Sequence, residues 1–387
     1  DTVAPPAVEA GLVFISEVTG GLVDVRGEPS SSEPGTTVTV RNERTGDVAV
    51  TLVRADGSWE VIGFIGESGD PISVFLTDAA GNVGEATGFS VPGAPGEEPS
   101  PDPALIASPI DPSLAATPFA DSVRFLWEHP TTPVQTAVAP GALDDARRLV
   151  VLRGRTLTRE GAPLAGVRIH AVGHPEWGET RTRIGNGVGG RFDYAALGGT
   201  PGSVVLRYEL DGFLTVDRRV ESLEYNDFHV LPDVAMTPLD SSVSRLDFSG
   251  AAEMQVHRSS TQNDLRGTRA ADLLVPAGTF ADVVRHDTSR APLLAGSTRA
   301  TEVTVGTLEQ AAAAMQSTLP RYSALTYCLE YTVDEEPDAL HVEFSQPLIA
   351  LTPNFLNFPL AERLPVGAYD RSRGEWIAQE DAFVIEV

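Results

Sequence analysis

Apolar residues in this chain come in short alternating runs fenced by glycine or proline, and that pattern constrains the fold more than any other feature. The clearest stretch is residues 150–236. Val150, Leu152 and Gly154, then Val167, Ile169 and Ala171, then Val204, Leu206 and Tyr208 alternate with other residues. A period of two puts every second side chain on one face, the signature of a half-buried antiparallel strand. Glu160-Gly161-Ala162-Pro163 and Asp211-Gly212 supply turns between the runs; glycine in the second gives the positive φ of a tight bend. Helix signals are nearly absent, so the expectation is an all-β chain built from several sandwiches.

The same spacing begins at the N-terminus. Strands are expected at 12–16, 22–26, 36–42, 47–52, 59–65 and 71–77, with turns at Asp56-Gly57 and Ala80-Gly81-Asn82. Six or seven short strands in about 100 residues suit an immunoglobulin-like sandwich, with Trp59 anchoring its core. Residues 93–118 lose the periodicity and fill with proline, which reads as a linker. Residues 119–145 keep Phe125, Leu126 and Trp127; this segment is expected to run extended across a neighbouring domain and dock its aromatics there. Residues 237–387 read as a further β unit, with strands at 270–275, 281–284, 300–305, 323–333 and 339–344. LEQAAAAMQ (308–316) is a candidate helix, too short to stand alone. The expected division is residues 1–92, 93–147, 148–236 and 237–387.

The formal net charge is −26, and arginine is the only strong base because the chain has no lysine. Nucleic acid is an unsuitable partner, since phosphate neutralisation needs a basic stripe. The acidity serves solubility. Cys328 is the sole cysteine, which excludes an intramolecular disulfide and a cysteine metal cluster; its setting reads as a strand with a buried structural thiol. No apolar run is long enough to span a membrane. Asp1 stands where a methionine would begin a nascent chain, so the sequence reads as a processed piece. The apolar run 383–387 is an unusual place for a domain to end.

Candidate sites are few. His170 and His174 are four apart, but the intervening Ala-Val-Gly and the following Pro175 indicate strand and turn, which separates them. Glu176 and Glu179 lie near enough in sequence to complete a metal site only if all four converged. Asp78 and Asn82, with Asp1, have the hard oxygens that calcium takes; the simpler reading is a turn in which Asn82 tolerates the left-handed conformation. His229 reads as a lone strand histidine. Asp144-Asp145 and Asp334-Glu335-Glu336 read as solvated loop carboxylates. There is no Gly-x-Ser-x-Gly elbow, and the glycine-rich 185–190 falls inside a hairpin rather than before a helix. No catalytic, cofactor-binding or metal residue is therefore assigned. Phe125, Trp127, Phe355, Phe358 and Trp376 are the aromatics expected to dock on a partner, filling their own cores being the other role open to them.

Three resemblances bear on function. GRTLTREGAPLAGVRIHA, followed by Gly189-Gly190-Arg191-Phe192 and LRYELDGFL, resembles the carboxypeptidase-regulatory-like, or transthyretin-like, sandwich, with 184–188 as an unusual insertion. RADGSWEV and DAAGN resemble bacterial Ig-like modules of exported and surface proteins. The longest is FLWEHPTTPVQTAVAPGALDDARRLVVLRG followed by GHPEWGETRTR, which is similar to the region preceding the repeats of bacterial RHS or YD-repeat proteins and continues from about Pro109 to the end. YDRSRG at 369–374 has its Arg and Gly in the wrong order for a YD repeat and occurs once. These resemblances imply a non-enzymatic, exported, extracellular or cell-surface scaffold, possible in a polymorphic toxin. Its partners would be the repeat shell of the same polypeptide and a cell-surface target. An adhesin or carbohydrate-binding surface protein is the alternative. An autoprotease that releases the piece lacks a dyad.

Overall fold

In the computed structural model, residues 3–16, 22–66, 70–91, 99–108, 117–185, 188–199, 204–221, 224–285, 288–319, 326–336, 339–371 and 373–386 are described. The chain is all-β in class and forms two compact units. One holds residues up to 215 together with 220–236; the other holds 216–219 and 237–387.

The first ninety residues give seven strands: β1 (Val13–Ile15), β2 (Leu22–Gly27), β3 (Thr37–Asn42), β4 (Val48–Leu52), β5 (Trp59–Ile65), β6 (Pro71–Thr77) and β7 (Thr87–Ser90). Six fall where alternation places them. One sheet runs β1-β2-β5 and the other β4-β3-β6-β7, all pairs antiparallel. Val23 and Val25, Val38 and Val40, and Ile72, Val74 and Leu76 turn inward at every second position and form the core with Trp59. The Trp59 indole N–H donates to Ser32 Oγ at 2.8 Å, so the largest core side chain buries its one polar group with a partner. At the Asp78 turn the left-handed residue is Gly81 (φ 87°), not Asn82.

The connector is anchored rather than loose where it is described. Asp102 caps a short helix, α1 (Pro103–Ile106), through the Ala104 N–H. Ser100 Oγ donates to the Val134 carbonyl at 2.7 Å and accepts from the Arg181 N–H at 2.9 Å. The first ten residues of the segment expected to be extended (119–145) are helical instead: α2 (Phe119–Val123) and α3 (Phe125–Glu128). It buries Ala120, Val123 and Leu126, a spacing of three that a helix brings to one face, while Phe125 and Trp127 stay half-exposed. Short helices that pack at every turn escape a periodicity test, which needs a longer window.

Residues 135–236 form a second sandwich. Its strands are β8 (Gln135–Thr136), β9 (Leu149–Thr158), β10 (Arg168–Ala171), β11 (Glu179–Arg181), β12 (Arg191–Leu197) and β13 (Val204–Glu209). Then come β14 (Val216–Val220), whose first four residues group with the second unit, β15 (Phe228–Val230) and β16 (Val234–Met236). One sheet places β13, β10, β11 and β8 side by side; the other runs β12-β9-β15, with β16 also on β9. Strands β15 and β16 run parallel to β9, an arrangement that local alternation does not reveal.

The second unit is a set of small antiparallel sheets. Strands β17 (Ser244–Asp247), β18 (Gln255–Arg258), β19 (Gln262–Asp264), β20 (Gly267–Arg269), β21 (Asp272–Val275), β22 (Ala281–Val284), β23 (Arg290–Leu293) and β24 (Ala295–Glu302) precede a helix, α4 (Leu308–Ala314). After it come β25 (Leu329–Val333), β26 (His341–Phe344), β27 (Ile349–Leu351), β28 (Arg363–Leu364), β29 (Gly367–Asp370), β30 (Glu375–Ala378) and β31 (Ala382–Phe383). The sheet orders are β17-β24-β25, β18-β21-β27 and β23-β22-β26, with two-stranded pairs β19-β20, β28-β31 and β29-β30. Leu246, Phe248, Val275, Ala281, Val283 and Leu293 make the core.

Replacing Trp59 with Ala removes the side chain around which the first core packs and leaves Ser32 without its donor. The expected cost is about 3–5 kcal/mol. Urea unfolding followed by circular dichroism measures it, and a loss below about 1 kcal/mol would contradict the assignment of Trp59 as the core anchor.

Candidate functional site

Two built polar sites stand out, one in each unit. The first joins the two sheets of the second sandwich. Gln135 lies on β8, at the edge of one sheet, with its side chain buried. Its amide nitrogen donates to the Ala195 carbonyl at 3.0 Å and the Trp177 carbonyl at 2.6 Å, and its oxygen accepts from the Ala195 N–H at 2.6 Å. Ala195 sits on β12, the edge strand of the other sheet. A primary amide is a peptide group in miniature, so one side chain completes the open edge of β12 as a neighbouring strand would. Beside it, Gly178 has φ 69°, and a Cβ there would fall within the Thr136 carbonyl. The Tyr194 hydroxyl donates to the Gly178 carbonyl at 3.1 Å. The two segments PVQT and GHPEWG, far apart in sequence, thus meet in one lock.

The histidines and carboxylates weighed as metal ligands have separate partners around this lock. His170 lies 3.3 Å from Glu209, while His174 stacks on Trp177 and meets Glu176 at 2.9 Å. Glu179 is bound by Arg168, which also holds Glu209. Burial opposes the Glu209 charge, but His170, Arg168 and Arg207 outweigh it and hold its pKa at about 2. Asp78 is likewise occupied: its carboxylate accepts from the Ala80 and Asn82 backbone N–H groups and the Asn82 amide. That is the turn geometry; Asp1 lies outside the described residues. Among the described residues no group of three or more His, Cys, Asp or Glu side chains is arranged to hold a metal ion.

The second site is a buried arginine. Arg269 on β20 is fully buried. Nη1 and Nη2 donate to Asp264 at 2.8 and 2.9 Å, Nε and Nη2 to Glu302 at 3.0 and 2.6 Å, and Nη1 also to the Gly267 carbonyl at 3.1 Å. All five N–H donors of the guanidinium find acceptors, the condition under which a buried charge is tolerated. Arg269 holds the Asp264 carboxyl well below its ordinary range. The Phe355 ring covers this guanidinium, with Arg269 Cζ 4.8 Å from its centroid, and meets Tyr327 edge-on at 5.4 Å.

The five docking candidates therefore have distinct settings. Phe125 and Trp127 flank the buried Leu126 on α3. Phe355 roofs Arg269. Phe358 lies in the same loop, where the Asn354 side chain bonds both its N–H and its carbonyl. Trp376 on β30 faces Tyr369 across the hairpin at 5.6 Å. All five are half-buried. Tyr369 in turn donates to Asp217 at 3.1 Å, beside Arg371, which binds Glu330. Three expected solvated carboxylates are paired instead: Asp334 with Arg299, Glu335 with Arg245 and Glu336 with Arg285. Cys328 is half-buried; desolvation pushes its thiol up to about 12, and it lies 3.4 Å from Gln316 Oε1. His229 bonds the Glu224 backbone through Nε2.

His257 was not singled out by sequence. It is fully buried on β18, with Nδ1 2.9 Å from Ser244 Oγ and no hydrogen-bond partner at Nε2. Desolvation holds its pKa below 6.5, outweighing the opposite pull of Asp240 and Asp272; Arg299 adds to the depression.

Comparison with known proteins places the sandwich but not the whole chain. A family described as the teneurin TTR-like domain matches residues 144–236, beginning four residues before the boundary expected at 148. Zebrafish (Danio rerio) teneurin-3 is 37% identical over 155 residues, covering 39% of this chain and 5% of that protein. Chicken (Gallus gallus) teneurin-1 is 32% identical over 154 residues, with the same coverages. The matched region is thus 5% of the length of these relatives. The structure of chicken CNTN1 FN1-FN3 domains is 11% identical, covers 78% of this chain and 93% of its own, and has a TM-score of 0.17; a superposition that poor carries no argument. The sandwich is therefore similar to the TTR-like domain of teneurins, and these two relatives are vertebrate rather than bacterial proteins. No helix among the described residues is long and apolar enough to cross a membrane.

Two measurements test these sites. Gln135→Ala leaves the Ala195 N–H and two carbonyls buried without partners, so a loss of about 3 kcal/mol or more is expected in denaturant unfolding. Gln135→Glu keeps the acceptor but loses both donor bonds and does not restore stability. For His257, the unfolded state takes up its proton first as pH falls below 6.5, because the folded pKa is depressed. Stability is fully present above that value and declines below it, by at most about 1.4 kcal/mol per pH unit, until the folded pKa is passed. Thermal unfolding of His257→Gln should show a shallower acid-side decline; an unchanged slope would assign the effect elsewhere.

Proposed function

We propose that this chain is a non-catalytic scaffold of an exported RHS or YD-repeat protein, seated through its second unit on further β structure of the same polypeptide. One observation carries the reading. Among the described residues from 326 to 386 none is buried; every one is exposed or half-buried, although seven strands run through them. Leu360, Phe383 and Ile385 lie open to solvent, and the shielded atoms Glu330 Oε2, Thr332 Oγ1 and Trp376 Nε1 have no hydrogen-bond partner. A β segment with half-covered aromatics and unmet polar groups has the character of one side of an interface.

The likeness to teneurins supports the same class of assembly, because teneurins carry YD repeats related to those of RHS proteins. The repeat shell is then the surface on which Phe355, Phe358 and Trp376 complete their burial, and an extracellular or cell-surface location follows from that reading. The polar side chains of the two built sites are committed to structural hydrogen bonds and ion pairs, which suits scaffolding rather than chemistry.

Hydrogen exchange on the isolated chain and on the full gene product tests the proposal. Amides of β25, β26, β29 and β30 should exchange rapidly in the isolated chain and become protected by about tenfold or more in the longer polypeptide. Equal protection in both sinks the scaffold reading. Capture of a glycan or cell surface by the isolated chain, without that protection, points to an adhesin instead.

A further inference from the structure

We propose that β4, an edge strand of the first sandwich, pairs with β4 of a second copy of this chain in an antiparallel ladder whose two-fold axis passes between the two Val50 residues. Among the described residues, strand β4 has one neighbour, β3. Two bonds bracket that ladder: the Asn42 N–H donates to the Asp47 carbonyl at 2.9 Å, and the Val53 N–H to the Thr36 carbonyl at 3.0 Å. Antiparallel bonding alternates along a strand. Ala49 and Thr51 therefore share the inward orientation of Asp47 and Val53, and Val48, Val50 and Leu52 turn their N–H and C=O groups away from the sheet.

The same three residues carry apolar side chains that are 55%, 61% and 68% exposed. Natural edges are usually protected by proline, a bulge, a charge or a covering loop. Here VAVTL has no proline and no charge, its register with β3 is unbroken, and no positive φ interrupts it. Strand β5, an edge of the facing sheet, adds Ile62 at 72% exposure.

The pattern fits its own copy. With Val50 opposite Val50, Val48 falls opposite Leu52 and every outward N–H and C=O of the three residues finds a partner. The exposed side chains then form one continuous apolar row across both strands. Asp47 precedes the strand and Arg54 follows it, so an antiparallel copy brings opposite charges together at both ends, whereas a parallel copy brings like charges together. A strongly charged peptide finds no such match, because the flanks carry one charge of each sign. The net charge of −26 on each copy opposes approach at long range and is screened by salt. Association through this apolar edge therefore strengthens with ionic strength.

Sedimentation equilibrium of the whole chain, over rising salt, tests the pairing. A monomer–dimer equilibrium that tightens with salt is expected. Val50→Pro removes one outward N–H but no bond to β3, a substitution that edge strands accept. Val50→Lys sets two like charges face to face at the axis. Each should weaken the dimer by about tenfold or more while the monomer keeps its thermal unfolding midpoint. A wild-type chain that stays monomeric at every salt concentration overturns the proposal, as does a dimer that survives both substitutions. Should Val50→Pro misfold, Val50→Lys at this exposed position decides alone. Neither substitution touches residues 326–386, so the dimer can fail while the scaffold reading stands, and the reverse.

Discussion

A β-sheet must do something with the backbone groups along its edges, and the character of this molecule depends on how each edge is treated. In the transthyretin-like sandwich the edge of β12 is closed by one amide, Gln135, which bonds Ala195 in both directions while its own backbone belongs to the opposite sheet. The contact ties the two sheets together at a point where hydrophobic packing alone gives no register. Gly178 is part of the same arrangement, because only a residue without a Cβ lets the chain pass the Thr136 carbonyl. Among the described residues, the first sandwich has no such device on β4. One edge is therefore built shut and another left open, on the same physical grounds.

Electrostatics follows a second rule. A chain with 54 carboxylates and 28 basic residues, all arginine, relies on the planar guanidinium to hold carboxylates in pairs. Arg269 takes two of them with all five donors engaged. Asp193 is shared between Arg153 and Arg183, and Asp70 is bound by Arg44. Many of the paired carboxylates are only partly exposed, where bidentate geometry counts for more than at a solvated surface. The surplus negative charge stays on the surface, where it favours solubility.

The helix α4 shows why tertiary context was needed for one element that the sequence suggested only weakly. Seven residues cannot hold a helix in water. Thr307 and Gln310 form a reciprocal cap at its start, and Arg218, from a distant part of the chain, donates to the Met315 and Ala313 carbonyls at its end. Both ends are satisfied by groups that alanine propensity does not foresee. The rest of the C-terminal segment has regular strands without a buried interior, and among the described residues each of β25 to β31 pairs with a single neighbour.

Sequence by itself determined six strands of the first sandwich, the glycine turns and the all-β class, because period-two alternation and positive-φ turns are local properties of the backbone; the transthyretin-like character of 150–236 came from the resemblance of its motifs to that family. It also identified PVQT and GHPEWG as distinctive, without showing that they touch. Only the tertiary structure decided that they form one lock, that residues 119–128 are helical, that β15 and β16 run parallel to β9, that Phe355 covers Arg269, and that His257 is buried with one nitrogen unpaired. Each of these rests on a contact between residues far apart in the chain, and neither spacing nor composition records which distant groups will meet.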